Sequence, residues 1–567
     1  MENQRLLLYF TLFFIIYLLW AEWQMDYGPK QEVPVAETSA QVEQQAQQDI
    51  AEVPEAAVAA APGETEVIAS GDVEQQTAQR IRVLTDVLDI EIDTRGGDIK
   101  RVVLRNYAKT AKKPEEKLVL MTDKEVNFFI AQSGLVSVNT GTAPTHNAVY
   151  SARNTEYRLA EGEEEISVPL SWTGENGVRV DKVYTFRRND YVIDLEHVVK
   201  AGDADWSGSQ YMQLVRTPPS EEDKSAFIYT YTGGVVFNDD IKYEKIEFDD
   251  IADENLKDTI GDGCLNLNSR QKGCELTGGW LAMMQHYFLA AWIPEAGVNN
   301  LFYSRNPSDT YKYILGTRSP AQKIAAGETA GFNSRLVIGP KLQNDLKKIA
   351  PGLELTVDYG VLTIIAKPLF WLLNIFYGWF GNWGWAIIFL TITVKAIFYK
   401  LSEMSYRSMA KMRKVAPRIK QMKERYGDDR QAMSKAMMDM YKREKINPMG
   451  GCFPILVQMP VFIALYWVLL ESVEMRHAPF ILWIDNLSAR DPYFILPIIM
   501  GVSMWIQQKL NPAPVDPVQQ KIFQYMPFVF TAMFAFFPAG LVLYWVVNNI
   551  LSIAQQYVIT RRIEKEA

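Results

Sequence analysis

Residues 81–337 alternate between apolar and polar types at every second position, as in IRVLTDVLDIEID and YVIDLEHVVK. Turn-forming pairs such as Asn176-Gly177 separate these runs, and no helix-length pattern comes between them. Each run has the length of a strand, and many short strands in succession are typical of a β-sandwich. We therefore predict a large all-β domain over residues 80–345.

Longer apolar tracts of helical length fill the rest of the C-terminal half. Another such tract, residues 6–20, is uncharged and follows Arg5. Because no small-x-small cleavage site comes after it, we interpret it as a signal anchor within residues 1–26 and not as a cleaved signal peptide. The predicted fold class is an α-helical polytopic membrane protein plus an all-β domain. The C-terminal tracts lie at 361–380, 383–401, 453–473, 492–508, 522–537 and 540–559.

A basic loop decides the orientation of these tracts. Residues 400–445 contain fourteen Lys or Arg and six Asp or Glu, which places the loop in the cytoplasm. With the N-terminus inside, the number of crossings before this loop must be even. Residues 6–20 supply one crossing, so only one of the tracts 361–380 and 383–401 spans. We predict that residues 361–380 form an interfacial helix on the outer surface of the membrane. This leaves six spans with both termini inside.

The net charge of −9 would suit an ordinary soluble protein. It is an average that hides the difference between the polar residues before about 345 and the apolar tracts after them. Residues 27–79 are rich in Gln, Glu, Ala and Pro, and they cannot bury enough apolar surface to offset chain entropy. We predict that they form a flexible linker. The other predicted segments are a connection with the interfacial amphipathic helix at 346–382, a five-span core at 383–560 with a cytoplasmic helical hairpin at 400–447, and a cytoplasmic tail at 561–567.

Three cysteines and four histidines limit disulfide and metal chemistry. Cys264 and Cys274 lie close together in the polar half, where an extracytoplasmic location would allow a disulfide. The alternative is two unpaired thiols. No metal-site spacing accompanies them and the histidines are scattered, so we expect no metal site and no cofactor.

Lys395 lies twelve residues into the tract 383–401, near the middle of a predicted span. A charge at that depth costs about 2.5–3.5 kcal/mol on insertion scales, so such a residue normally faces a bundle interior or a water-filled cavity. The alternative is that its side chain reaches the cytoplasmic interface. Polar residues gather in the same and neighbouring spans, which favours a functional site. They are Thr391, Gln458, Ser503, Gln507, Asn548, Asn549, Ser552, Gln555 and Gln556.

No Asp or Glu lies deep in any predicted span, and Glu471 falls at an outer end. Lys395 therefore lacks a buried acidic partner, which suits a site that receives a negative charge from elsewhere. The same absence disfavours a proton-coupled transporter, since such proteins usually use membrane carboxylates. The sequence contains no inverted repeat, nucleotide-binding loop or hydrolase motif, so we expect no enzyme active site.

The basic loop predicts two helices that form a hairpin. Apolar residues recur at helical spacing over residues 412–422, residues 426–429 form a turn, and a Met-rich segment follows. The methionines either pack against each other or form an adaptable docking surface for apolar segments or ribosomal RNA, while the charges are solvated or touch anionic lipid. The candidate docking residues are Arg407, Lys411, Arg413, Lys414, Arg418, Lys420, Asp428, Asp429, Met433 and Met437.

Several stretches of the C-terminal half carry a family resemblance. GNWGWAIIFLTITVKAIFYKLS, INPMGGCFPILVQMPVFIALYWVL and FPAGLVLYWVVNNILSIAQQ resemble the YidC/Oxa/Alb family of membrane-protein insertases, and the resemblance covers essentially all of residues 360–560. The N-terminal anchor, linker and β-domain resemble the Gram-negative form in architecture. This implies a periplasmic β-supersandwich and a location in the bacterial inner membrane.

The resemblance also implies a hydrophilic groove that is open to the cytoplasm and the lipid but closed on the periplasmic side. Its floor carries one positive residue, usually arginine. That position is Lys395 here, which keeps the charge but not the planar guanidinium. An aromatic position of the last span, often tyrosine, corresponds to Trp545, beside Tyr544. Thr391 and Gln458 match groove positions.

The implied function is a membrane-protein insertase and chaperone that uses no covalent chemistry and no nucleotide. The implied partners are nascent membrane proteins, the Sec translocon with its accessory subunits, the ribosome and signal recognition particle pathway, and membrane lipids. Two alternatives stay open. One is a membrane-anchored carbohydrate-binding or carbohydrate-modifying protein, because the β-domain resembles the galactose-mutarotase sandwich, and the other is a small-solute transporter.

Overall fold

The alternating residues form strands. The computed structural model of the chain describes residues 78–139, 141–219, 230–254, 256–260, 273–307, 311–427, 429–444, 453–511 and 517–566. The predicted signal anchor, residues 27–77 of the predicted linker, Cys264 and Asp428 lie outside the described residues. The strands are β1 Arg80–Leu84, β2 Leu88–Asp93, β3 Asp98–Thr110, β4 Lys113–Met121, β5 Phe129–Ser137, β6 Ser151–Ala152, β7 Glu156–Arg158, β8 Glu165–Thr173, β9 Arg179–Arg187, β10 Val192–Lys200, β11 Trp206–Arg216, β12 Gly233–Asn238, β13 Lys242–Ile246, β14 Cys274–Thr277, β15 Trp280–Gln285, β16 Phe288–Pro294, β17 Asn299–Arg305, β18 Tyr313–Arg318, β19 Gln322–Ile324 and β20 Thr329–Pro340.

These strands form two sheets that pack face to face. One sheet has the order β14-β17-β18-β11-β5-β3-β2-β1-β7, with β19 beside β11 and β4 beside β3, and the other has the order β13-β12-β15-β16-β20-β10-β9-β8-β6. Ile90 and Leu214 of the first sheet and Leu195 and Trp292 of the second belong to one buried apolar cluster. The prediction of a β-rich domain over this stretch is confirmed.

Most helices follow the two sheets along the chain. Two of them, α1 Phe248–Ala252 and α2 Leu256–Ile260, fall inside the β-domain, where the sequence predicted no helix, because one turn is too short to produce a periodic pattern. The others are α3 Gln343–Ile349, α4 Thr363–Phe380, α5 Trp383–Ile397, α6 Tyr399–Tyr426, α7 Arg430–Arg443, α8 Phe453–Glu471, α9 Ile495–Leu510, α10 Pro517–Phe534 and α11 Ala539–Glu566.

The apolar tracts become helices, with one marked difference. The tract 383–401 was predicted as one span, but α5 ends at Ile397 and is bent by 66° from the following helix. Thr391 and Thr393 each donate to a carbonyl four residues earlier on α5, a contact that often bends helices. By length and composition alone, one helix of the described part, Gly360–Phe380, can cross a membrane, or two if the bent pair Trp383–Ile397 and Tyr399–Val415 forms one span.

Cys274 opens β14 and is fully buried. It is disulfide-bonded, so the alternative of a free thiol at this position is wrong. Its predicted pairing with Cys264 stays a prediction, since Cys264 lies outside the described residues.

A lysine occupies an inward-facing position between the two sheets. Lys182 of β9 is fully buried, and its Nζ donates to the carbonyls of Gly96 at 2.7 Å and Ser133 at 2.9 Å. Asp98, also fully buried, accepts hydrogen bonds from Lys100 and Gln132 at 3.0 Å each. Burial lowers the pKa of Lys182 from 10.5 to about 7, because the charged form loses its hydration.

We expect this lysine to make the β-domain more stable as the pH rises from about 7 towards 10.5. Over that range the unfolded chain holds the Lys182 proton and the folded chain has released it, so stability rises with pH. In Lys182→Met, the free energy of unfolding should change less with pH over this range. Urea unfolding of the full-length protein in detergent, followed by circular dichroism at pH 7 and at about 9.5, measures that free energy. The exposed Lys200→Met is the control, and equal slopes for Lys182→Met and Lys200→Met would contradict the expectation.

Candidate functional site

Lys395 lies on α5 with its side chain buried against α11. The residue is 4% exposed, and its Nζ donates a hydrogen bond of 2.7 Å to the Oγ of Ser552. That hydroxyl donates in turn to the carbonyl of Asn548, also at 2.7 Å. Among the described residues, no carboxylate forms an ion pair with Lys395. The ammonium is therefore held by a neutral hydroxyl of α11.

Further polar residues of α11 continue along the same helix face. The Nδ2 of Asn549 donates to the Oγ of Ser503 on α9 at 3.0 Å, and the Nε2 of Gln556 donates to the carbonyl of Leu510 at 3.1 Å. Asn549, Ser552 and Gln556 recur at spacings of three and four, which puts them on one face of the helix. This face joins α11 to α5 and to α9, so the predicted polar stripe of the last span has a structural counterpart.

Three other predicted groove residues are placed differently. Thr391 is buried one turn from Lys395, but its hydroxyl donates to the carbonyl of Ile387 at 2.7 Å. Gln458 on α8 and Gln507 on α9 are half-buried. Within the described ranges, no hydrogen bond connects these three side chains to Lys395. Their shared role in a groove stays a prediction.

The two aromatic residues implied by the resemblance pack inside the bundle. The ring of Trp545 lies edge-on to Phe462 of α8 at 4.6 Å between centroids, and 5.3 Å from Phe534 of α10. Tyr544 is buried, and its ring is nearly parallel to that of Phe462 at 6.2 Å. Aromatic pairs at such distances are stabilising beyond the area they bury. Trp545 thus joins α8, α10 and α11, and its contact with a substrate stays a prediction.

The loop after α8 covers the beginning of α5. Asn382 caps α5 by accepting hydrogen bonds from the backbone of Gly384 and Trp385. Its Nδ2 donates to the carbonyls of Pro479 and Phe480 at 3.4 and 3.3 Å. The ring of Phe480 rests on Gly384, where a Cβ would come within 2.0 Å of it. The missing side chain at Gly384 therefore allows the loop to close over this end of the bundle.

Gly384→Ala tests this close approach. The added methyl must displace the Phe480 ring, and overpacking of this kind typically costs about 1–3 kcal/mol of stability. Thermal unfolding in detergent should show a lower midpoint for Gly384→Ala, and adding Phe480→Ala should recover part of the loss. Gly378→Ala is the matched control, because nothing lies within 4 Å of a Cβ there. A midpoint for Gly384→Ala equal to that of the control would contradict the expectation.

Helices α6 and α7 form the predicted hairpin. Val415 and Ile419 are buried between them, and Arg418 pairs with Glu444 at 2.7 Å across the hairpin. Asp429 caps α7 by accepting from the backbone of Ala432 at 3.0 Å. The side chains that pack against Val415 and Ile419 are Met412, Met422, Met437, Met440 and Tyr441. These methionines take part in the packing of the hairpin itself, and the docking surface that the sequence also suggested stays a prediction.

The other candidate docking residues stay at the hairpin surface or at its edge. Arg407 is exposed and pairs with Glu403 one turn earlier at 3.0 Å. Met433 is half-buried, and Lys420 lies within α6. The side chains of Lys411, Arg413 and Lys414 are exposed. Because the apolar stripe packs inside the hairpin, the hairpin surface carries these basic side chains together with two exposed methionines, Met404 and Met438.

Two contacts near the site were not predicted. The hydroxyl of Tyr406 on α6 donates to the carbonyl of Ser552 at 3.4 Å, and Arg413 donates to the carbonyl of Lys509 at 3.4 Å. The first contact brings the hairpin against α11, the helix whose Ser552 accepts from Lys395, and the second brings it against the end of α9. Residues so far apart in the chain leave no common period, so no sequence signal could have paired them.

A large β-domain, a bundle of apolar helices in which Lys395 is buried, and a basic helical hairpin define a class of membrane protein with a polar site among its helices. Residues 80–372 match the family described as YidC periplasmic domain, and residues 375–566 match the family described as 60Kd inner membrane protein. The chain belongs to the YidC family of membrane protein insertases.

Relatives match over the whole length. The membrane protein insertase YidC of Thioalkalivibrio sulfidiphilus is 52% identical over 578 residues, which cover 100% of this chain and 99% of the relative. That of Methylococcus capsulatus is 50% identical over 570 residues, with 100% and 99% covered. A crystal structure described as an active YidC insertase with the first transmembrane domain resolved is 17% identical, with a TM-score of 0.38 over 86% of this chain and 93% of that one. The family resemblance seen in the sequence is confirmed.

Proposed function

We propose that this chain inserts and helps fold inner-membrane proteins by holding a polar, often acidic, N-terminal tail of its substrate near Lys395. The hydrophobic segment of the substrate would pass along α8 and α10 into lipid. Burial of about twenty apolar residues supplies the driving force, so neither covalent chemistry nor a nucleotide is needed.

One observation carries this proposal: Lys395 is buried, yet among the described residues its Nζ has a neutral hydrogen-bond partner, Ser552 at 2.7 Å, and no carboxylate. The hydroxyl of Ser552 accepts a hydrogen bond from the ammonium but brings no negative charge to balance it. A carboxylate that approaches it gains both a charge-assisted hydrogen bond and an opposite charge. The site is therefore suited to a transient acidic guest, whereas a resident Asp or Glu would compete with it.

The topology that we propose has six spans, both termini in the cytoplasm and the β-domain in the periplasm, with α4 lying on the outer surface. Two contacts support the placement of α4. Arg476, which follows α8, donates to the carbonyl of Lys109 in the β-domain at 3.1 Å. Asn382, which follows α4, contacts the same loop at Pro479 and Phe480. Both ends of α4 would then lie on the side of the β-domain.

Cysteine labelling tests this topology. In a chain with Cys452→Ser, a membrane-impermeant maleimide should modify Trp379→Cys in intact spheroplasts, because Trp379 is 71% exposed and would face the periplasm. Lys414→Cys, on the exposed side of the hairpin, should react only after the membrane is permeabilised. Labelling of Lys414→Cys in intact spheroplasts, or protection of Trp379→Cys, would show that the proposed arrangement is wrong.

Replacing Lys395 tests the electrostatic role. In proteoliposomes that contain the pure protein, Lys395→Gln should lower the initial insertion rate of single-span substrates with acidic tails by about tenfold, as expected for a lost charge-assisted hydrogen bond of about 1.5 kcal/mol. Neutral-tailed substrates should lose less than about twofold. Lys395→Arg should insert acidic-tailed and neutral-tailed substrates with the same relative rates as the wild type. Lys367→Gln serves as the control, because Lys367 is exposed.

Two outcomes of this experiment would overturn the proposal. Equal losses for acidic and neutral tails would remove the electrostatic role of Lys395. A wild-type protein that inserts no more substrate than protein-free vesicles would remove the insertase activity itself.

The basic hairpin is proposed to receive nascent membrane proteins from the ribosome or the signal recognition particle, because its exposed face carries Arg407, Lys411, Arg413 and Lys414. Anionic lipid and ribosomal RNA offer the same complementary charge. The β-domain is proposed to contact the Sec translocon and its accessory subunits or to act as a scaffold. The carbohydrate-related and transporter alternatives are not favoured, since the relatives that match the full length are named insertases.

A further inference from the structure

The end of α8 is held by polar contacts from the β-domain and from the segment that follows it. The Nε2 of His286 donates to the carbonyl of Leu470 at 2.8 Å, which satisfies one of the carbonyls left free in the last turn of a helix. Lys341 and Glu471 form an ion pair of 3.3 Å. The hydroxyls of Tyr359 and Ser472 lie 3.4 Å apart.

The ion pair is the most deeply buried of these contacts. The side chains of Lys341 and Glu471 are 1% and 8% exposed, and Lys341 also donates to the carbonyl of Thr356 at 3.1 Å. A carboxylate at the C-terminal end of a helix meets the negative end of the helix dipole, so Glu471 is unfavourable there without a cation. Burial lowers the pKa of Lys341 and Glu471 opposes that shift. Removing either partner leaves the other charge buried and unpaired.

A buried ion pair fixes the rotation of a helix more narrowly than apolar contact does, because it is satisfied in only one geometry. Phe462 and Glu471 are nine residues apart, which puts them on opposite faces of α8, about 13.5 Å apart along the axis. Glu471 faces the β-domain while Phe462 packs on Trp545 of α11 at 4.6 Å. No proline interrupts α8 between them, since Pro460 lies before Phe462. The rotation set at Glu471 is therefore transmitted to the face that meets α10 and α11.

We propose that Lys341 and Glu471 are positioning residues for insertion, which set the rotation of α8 and so the path that a substrate's hydrophobic segment follows between α8 and α10. This inference rests on the proposed function, in which substrates use these two helices. It differs from the role of Lys395, because a change in the path affects every substrate, whatever the charge of its tail.

The experiment uses the full chain in proteoliposomes and two independent readouts. Lys341→Met and Glu471→Gln should each lower the initial insertion rate by about threefold or more for acidic and neutral tails alike, since small misplacements are costly. Lys341→Arg should restore a rate within about twofold of wild type. Lys245→Met is the matched control, because Lys245 forms a half-exposed ion pair of 2.6 Å with Asp358 near the same junction.

The second readout is the separation of spin labels, which needs no activity. With Cys452→Ser, labels at Ile463 of α8 and Val529 of α10 should change distance in Lys341→Met, while labels at Ile506 of α9 and Val529 should not. All three positions are at least 37% exposed. A Lys341→Met protein with wild-type rate and wild-type distances would overturn the proposal. So would a lower unfolding midpoint with both distances changed, since that indicates general destabilisation. If even the wild type fails to insert, the proposed function fails, and the label distances still decide the role of the ion pair.

Discussion

Polar groups among apolar helices must find partners, and this requirement shapes the helical part of the protein. Neither bilayer nor bundle interior supplies water freely, so an unpaired charge or hydroxyl is costly. Lys395 meets the requirement through Ser552, Thr391 through its own helix, and Asn549 through Ser503. The bonds of Lys395 and Asn549 tie α11 to α5 and to α9, whereas that of Thr391 stays within α5. The same contacts that satisfy the polar groups therefore determine how the helices pack.

Periodicity allowed the elements to be predicted, because burial is what produces it. The β-domain was expected as a stretch of many short strands, without the bounds of each, and the tracts that become α8 to α11 were expected at nearly the observed places. Lys395 stood out for a related reason. An apolar tract implies a surrounding of lipid or packed side chains, and a charged lysine is costly there. The bend after Ile397 could not be predicted from hydropathy. Average hydropathy reports how apolar a tract is and not the direction of its backbone, and α6, which follows the break, is amphipathic.

Contacts between distant residues were the part that sequence could not provide. Lys395 and Ser552 are 157 residues apart, and Lys341 and Glu471 are 130 apart. Glu471 was noted only as an acid at the outer end of a span, which is where acids are normally solvated. Its burial follows from the β-domain lying against that end, where Val473 joins the apolar cluster of the sheets. The two parts of the chain were predicted as separate domains, but they share this buried junction.

Lys341 and Lys395 show how the partner of a buried lysine decides what its charge can do. Lys341 has a carboxylate partner that neutralises its charge, and in our proposal this pair fixes the rotation of α8. Lys395 has a hydroxyl partner, and in our proposal its charge is met by a carboxylate of the substrate. A lysine suits that proposed role because its ammonium is a compact charge with three donors, whereas a guanidinium would spread five donors over a plane. The hydroxyl of Ser552 accepts from one of the three donors of Lys395, so in the proposed function another donor can reach a carboxylate. An arginine at this position would bind an acidic tail by a planar fork, and this chain does without that geometry.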